Sequence, residues 1–143
     1  IQKDKMSQKP LKKVLEIGTG CGYQSYILSL FSKKVVSIER IKPLQEKAKK
    51  ILKQLKVTNI EFNLDDGSSV KETKFDAILS AAAPLEVPLE LKQKLSIGGK
   101  MIIPVGNKSK QVLTLVTRTS KNNFEETKVE DVLFVPLLKG VVS

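Results

Sequence analysis

The chain has 143 residues, enough for one domain with a buried core and too few for two ordinary ones. Its 25 basic and 15 acidic residues leave a formal charge of +10, and the absence of histidine excludes His-based triads and Cys/His metal sites. No apolar run approaches the roughly 20 residues of a membrane span. The single cysteine, Cys21, cannot form an internal disulfide, so a reducing cytoplasm is the expected setting.

The charge is almost entirely lysine, with Arg40 and Arg118 the only arginines, and it is spread along the whole chain. Aromatic residues make up only 5% and do not interleave with the basic ones, so bases would have nothing to stack on. A solvated lysine surface is the expected reading, not a nucleic-acid interface.

In chain order, residues 1–12 are polar and basic with Pro10 near their end, and they read as a remnant of an N-terminal element plus a linker. The chain begins at Ile1, which fits a fragment or processed product. Residues 13–143 read as the folded domain. Val14 to Ile17 is a short apolar strand running into a loop with Gly18, Gly20 and Gly22, and a helix opens at Tyr23. Glycines there permit sharp backbone turns and close approach of a ligand. The free N–H groups and dipole of the following helix favour a nucleotide-like group. The spacing Gly-x-Gly-x-Gly is one residue tighter than the dinucleotide fingerprint. With Glu16 two residues ahead of Gly18, it points to S-adenosylmethionine instead of a nicotinamide. Cys21, inside that loop, reads as a small filler residue.

The first helix is expected to pack Tyr26, Ile27, Leu30 and Phe31 on the sheet and to end at Lys33-Lys34. Val35 to Ile38 follows as a doubly buried strand ending at Glu39. Glu39 stands 39 − 22 = 17 residues beyond the last loop glycine, where an acidic residue can accept from ribose hydroxyls. Pro43 to Leu55 is an amphipathic helix with Leu44, Ala48, Ile51, Leu52 and Leu55 on its apolar face. A third strand, Ile60 to Leu64, ends at Asp65-Asp66-Gly67, where a carboxylate could hold an exocyclic amine or simply shape a turn.

Phe75 to Ser80 is a fourth strand, and Ala81 to Pro88 a stiff loop at the end where α/β folds place substrates. Leu89 to Leu95 reads as a short helix ended by Gly98-Gly99, and Lys100 to Val105 as a fifth strand. Gln111 to Thr119, and two runs within Phe124 to Leu137, read as antiparallel strands closing the edge. The alternation predicts an α/β fold, a Rossmann-like three-layer sandwich with a mostly parallel seven-stranded sheet and antiparallel C-terminal edge strands. Gly18 to Gly22, Glu39 and Asp66 would then meet at the tips of the first three strands.

Val14-Leu-Glu-Ile-Gly-Thr-Gly-Cys-Gly-Tyr-Gln24, Ser37-Ile-Glu-Arg40, Asp66-Gly67, Phe75-Asp-Ala-Ile78, Ala81-Ala-Ala-Pro84, Gly98-Gly99, Ile103-Pro-Val-Gly106, Gln111 and Phe134-Val-Pro-Leu137 resemble the protein-L-isoaspartate O-methyltransferases. Order and spacing agree from about Pro10 onward. The resemblance implies methyl transfer from S-adenosylmethionine to the free carboxylate of an L-isoaspartyl residue in a damaged protein, so the expected partners are isoaspartyl peptides and proteins; a cytoplasmic monomer is expected. It implies that Gly18, Thr19, Gly20 and Gly22 wrap the cofactor, that Glu39 holds the ribose and that Asp66 and Gly67 hold the adenine. Glu16 and Arg40, inside the same motifs, join that set, and the Ala81–Pro88 loop lines the substrate side. The family's active-site hydroxyl lies in an Ile-Ser-Gln-Pro-like segment upstream of the first strand, which Ser7-Gln8 matches only superficially, so no catalytic residue is assigned. Asp65 stands where the family usually has glycine. The alternatives are a non-catalytic cofactor-binding fragment and, from the charge, a methyltransferase acting on RNA.

Overall fold

The computed structural model describes residues 9–68 and 70–143. In chain order the elements are β1 (Leu11–Ile17), α1 (Tyr23–Phe31), β2 (Ser32–Glu39), α2 (Lys42–Gln54), β3 (Ile60–Leu64), β4 (Phe75–Ser80), β5 (Ala82–Ala83), α3 (Leu89–Gln93), β6 (Leu95–Gly106), β7 (Gln111–Ser120), β8 (Asn123–Val132) and β9 (Val135–Pro136). Ser7 and Gln8 lie outside the described residues. Strand β1 takes in Leu11 and Lys12, which the sequence reading gave to the linker.

Seven strands form one sheet in the order β3-β2-β1-β4-β6-β7-β8. The pairs from β3 to β6 are parallel and the last two antiparallel. Strand order reverses between β1 and β4, because the chain steps outward through β2 and β3 before returning to β4 on the other side of β1. That reversal opens a crevice at the C-terminal ends of the strands.

Strand alternation divides the core. Leu15, Ile17, Val36, Ile38, Ile78, Met101 and Ile103 share one buried cluster with Phe75 and Leu91. The register Glu16↔Ser37 puts those two on the opposite face, where Ser25 of α1 reaches them. That contact sets the rotation of α1. The expected packing of Leu30 and Phe31 on the sheet does not occur: they are 59% and 63% exposed, Ser25 is the buried residue, and Tyr26 and Ile27 are half-buried. In α2 the buried residues are Gln45, Ala48 and Leu52, so Leu44, Ile51 and Leu55 are left on the surface.

Three boundaries also differ from the sequence reading. Lys33 and Lys34 do not end α1, because extended Ser32 closes the helix and begins β2, in which they follow. Gly98 and Gly99 do not end α3, which stops at Gln93, but lie inside β6 at a bulge opposite Phe75 and Ala77. A Cβ on Gly99 would stand 2.9 Å from the carbonyl oxygens of Phe75 and Ser96, so the bulge requires glycine there. Finally, β9 does not extend the main sheet. It pairs in parallel with β5, because the Gln111 side chain holds Phe134 and turns the chain away from the edge.

Candidate functional site

Because the inner strands are parallel, their C-terminal tips share one edge, and the loop after β1 folds back over β2 there. The N–H groups of Gly18 and Thr19 both donate to the Ile38 carbonyl, at 2.8 and 3.1 Å. Gly18, Gly20 and Gly22 have φ of 95°, 53° and 87°, the left-handed region that favours glycine. Their surroundings separate them. A Cβ on Gly18 would meet Ala81 at 3.3 Å, and one on Gly22 would meet Ala48 and Leu52 at 3.3 Å. A Cβ on Gly20 would meet nothing within 4 Å. Of the three, only Gly20 has room for a Cβ.

Glu39, 6% exposed, is tied to this loop. Its Oε1 accepts from the Gly20 N–H at 2.9 Å and its Oε2 from the Ile41 N–H at 3.1 Å. An ionised carboxylate offers about four acceptor sites, so two remain for hydroxyls of a ligand. At the β3 tip, the Asp66 N–H donates to Asp65 Oδ1 at 2.7 Å, and Gly67 turns the chain at φ 96°. Asp66 itself accepts from the N–H groups of Gly140 and Ser68, both at 2.8 Å. The Gly140 bond, followed by those from Ser68, holds its carboxyl well below the usual carboxylate range. Arg40 Nε donates to the Gly140 carbonyl at 3.0 Å.

These tips enclose a mainly apolar cleft of about 460 Å³ whose wall includes Gly18, Gly20, Glu39, Arg40, Asp65 and Asp66. A second cavity of about 540 Å³ adjoins it, bordered by Gly67, the Pro84–Pro88 loop and Leu91. Ile17, Asp66, Leu137 and Leu138 border both. The structure thus gathers Gly18, Gly20, Glu39, Arg40, Asp66 and Gly67 around one region. It also adds Val135 to Leu138, the first three of which the sequence pattern puts in an edge strand. The signal for them was the proline in Phe134-Val-Pro-Leu137, since Pro136 lacks the N–H an inner strand uses.

Glu16, Thr19 and Gly22 sit behind that wall. Glu16 is fully buried beneath the loop, with Ser25 Oγ and Ser37 Oγ (2.6 Å) donating to its Oε1 and Gln24 Nε2 (3.1 Å) to its Oε2. Thr19 Oγ1 lies 2.6 Å from Ser37 Oγ, so the chain of contacts reaches the glycine loop from below. Burial pushes the Glu16 carboxyl above its ordinary pKa, against the opposing effect of its donors. Its position makes it a support for the loop, and Gly22 caps α1.

Comparison with known proteins agrees with this geometry. The family model for protein-L-isoaspartate(D-aspartate) O-methyltransferase matches residues 3–142. A Burkholderia cenocepacia protein named protein-L-isoaspartate O-methyltransferase is 48% identical over 141 residues, 96% of this chain and 46% of its own length. The chain therefore spans about half the length of the curated relatives it matches. Among solved structures, a protein-L-isoaspartate O-methyltransferase aligns with a TM-score of 0.80 at 25% identity, over 93% of this chain and 44% of that one. A Plasmodium falciparum chain assigned to the same family, in complex with S-adenosyl-L-homocysteine, aligns with a TM-score of 0.79 at 27% identity, over 90% of this chain and 66% of that one. The two cavities, the glycine loop and the acidic strand tips are thus those of a member of the protein-L-isoaspartate(D-aspartate) O-methyltransferase family, to which this chain belongs.

Proposed function

We propose that the cleft binds S-adenosylmethionine and that the protein methylates the free carboxylate of L-isoaspartyl residues in damaged peptides and proteins. The observation that carries the reading is the meeting of Gly20, Glu39 and Asp66, from three successive strand tips, on a single cleft. The donor set suits an adenosyl group. Gly20 leaves its Cα side open, Glu39 retains acceptor capacity for ribose hydroxyls, and Asp66 at the third tip suits an exocyclic amine. Glu16 and Thr19 hold the loop from beneath, Gly22 starts α1, and Arg40 and Gly67 flank the adenine end.

When bound, S-adenosylmethionine supplies a methyl group on a sulfonium, which an ionised carboxylate can accept without a base. The protein's task is then orientation and exclusion of water, for which an apolar cleft is suited. No histidine is needed for that. The Ala81–Pro88 loop borders both cavities, which supports assigning it to the peptide side. We assign the domain to residues 11–143, from the start of β1, working in a reducing cytoplasm. Among the described residues no helix is long and apolar enough to cross a membrane.

The test is transfer of labelled methyl from S-adenosylmethionine to an isoaspartyl peptide beside its aspartyl twin. It should be run with this chain and with one extended to the length of the relatives. Selective labelling of the isoaspartyl peptide by the longer chain is expected. Equal labelling of both peptides, or none, would overturn the substrate assignment, while calorimetric titration of S-adenosylhomocysteine tests the cofactor assignment separately.

A further inference from the structure

After β8 the chain leaves the edge of the sheet and crosses the cleft. Its root is fixed at Gln111, 2% exposed, which accepts from the Phe134 N–H at 2.7 Å and donates to the Phe134 carbonyl at 2.9 Å. Strand β9 then pairs with β5, and the Leu137 N–H reaches the Ala83 carbonyl at 2.9 Å. Past Leu138 the chain turns at Gly140, φ 82°, and runs beside the tip of β2. There Val142 donates to the Arg40 carbonyl and Lys42 donates to the Val142 carbonyl, each at 2.7 Å.

Root and tip are held by different partners. The root uses Gln111 and β5, of which only Ala82 borders the cofactor cleft. The tip uses Asp66, which accepts from the Gly140 N–H, and Arg40, which donates to the Gly140 carbonyl. We infer that residues 138–142 are a strap competing with the cofactor for Asp66 and Arg40, so that seating of the adenine end loosens the hold of Gly140 on Asp66. The inference rests on the S-adenosylmethionine reading of the cleft. One Asp66 oxygen accepts from Ser68 and the other from Gly140, so an exocyclic amine approaching the second oxygen has to share it with the Gly140 N–H. Leu138 borders both cavities, so lifting the strap also removes part of the wall between them.

A strap closed nine-tenths of the time would lower apparent affinity about tenfold. The experiment compares S-adenosylhomocysteine association rate and affinity in the 143-residue chain, in Gly140→Pro and in a chain ending at Leu138. Proline removes the N–H given to Asp66 and imposes a φ that Gly140 does not adopt. Both variants should associate faster and bind up to about tenfold tighter. In the unaltered chain, the ligand should hasten tryptic release of the four residues after Lys139. Equal rates and affinities in all three chains, or protection of Lys139 by the ligand, would overturn the strap while leaving the cofactor reading intact. Binding by the shortened chain alone would support the strap most directly, and no binding by any of the three would remove both readings.

Discussion

The Gly20 N–H lies 2.9 Å from Oε1 of Glu39, which makes the middle of the glycine loop and the tip of the second strand one unit. The acceptor proposed for the ribose therefore also shapes the loop proposed to wrap the cofactor. Glu39→Ala removes both functions and should weaken S-adenosylhomocysteine binding by roughly 1.5–3 kcal/mol, about ten- to a hundredfold. Glu39→Gln keeps an oxygen that can face Gly20 and should lose less. Calorimetric titration of the three chains checks the order, and equal affinities would reduce Glu39 to a strand-end charge.

Gly20 and Gly22 are two residues apart in one motif, yet their substitutions should fail in different ways. Gly20→Ala places its methyl in open space, at a left-handed strain of about 1–2 kcal/mol, and should impair ligand binding more than folding. Gly22→Ala adds crowding against Ala48 and Leu52 to the same strain, so its melting temperature should fall further. Melting and binding curves for both variants test the contrast, which a larger stability loss in Gly20→Ala would contradict.

Glu16 should make stability depend on pH. Its folded pKa is raised by burial, so the folded state holds its proton more tightly than the unfolded chain. That contribution is present below the unfolded pKa and is lost as pH rises through the folded value. Glu16→Gln keeps the buried contacts once the Gln24 amide turns its oxygen toward the new one, and it cannot ionise. Denaturation between pH 4 and 9 should show the original chain losing ground to this variant as pH rises. Glu16→Ala should instead cost roughly 1–3 kcal/mol for each buried hydroxyl left without its acceptor.

Gln111 is the root of the segment crossing the cleft. Gln111→Ala leaves the Phe134 N–H and carbonyl without this partner, at a cost of roughly 1–3 kcal/mol. It should also speed hydrogen exchange from Phe134 to Leu137 more than in β1 or β2. Uniform exchange across the chain would mean that Gln111 supports the edge of the sheet and not this segment.

Much of the framework was legible before any coordinates. Ile60–Leu64 and Phe75–Ser80 are strands at the expected bounds, and α1 runs from Tyr23 to Phe31, because β-branched runs and punctuating glycines act over a few residues. The helix faces were not legible. Apolar spacing pointed to Leu30 and Phe31, but a buried carboxyl at Glu16 needed the Ser25 hydroxyl, and satisfying that charge decided the rotation of α1.

The sequence by itself determined the order of elements and the acidic residues at the strand ends, since both follow from local pattern and from the common direction of parallel strands. Only the tertiary structure decided which glycines open on the cleft, that Glu16 lies behind the loop, and that the C-terminal residues cross it. Each depends on contacts between residues far apart in the chain. Gly22 faces α2, Glu16 faces α1 and Ser37, and Gly140 is held by Asp66, 74 residues away. Periodicity along a strand or helix carries no information about such partners.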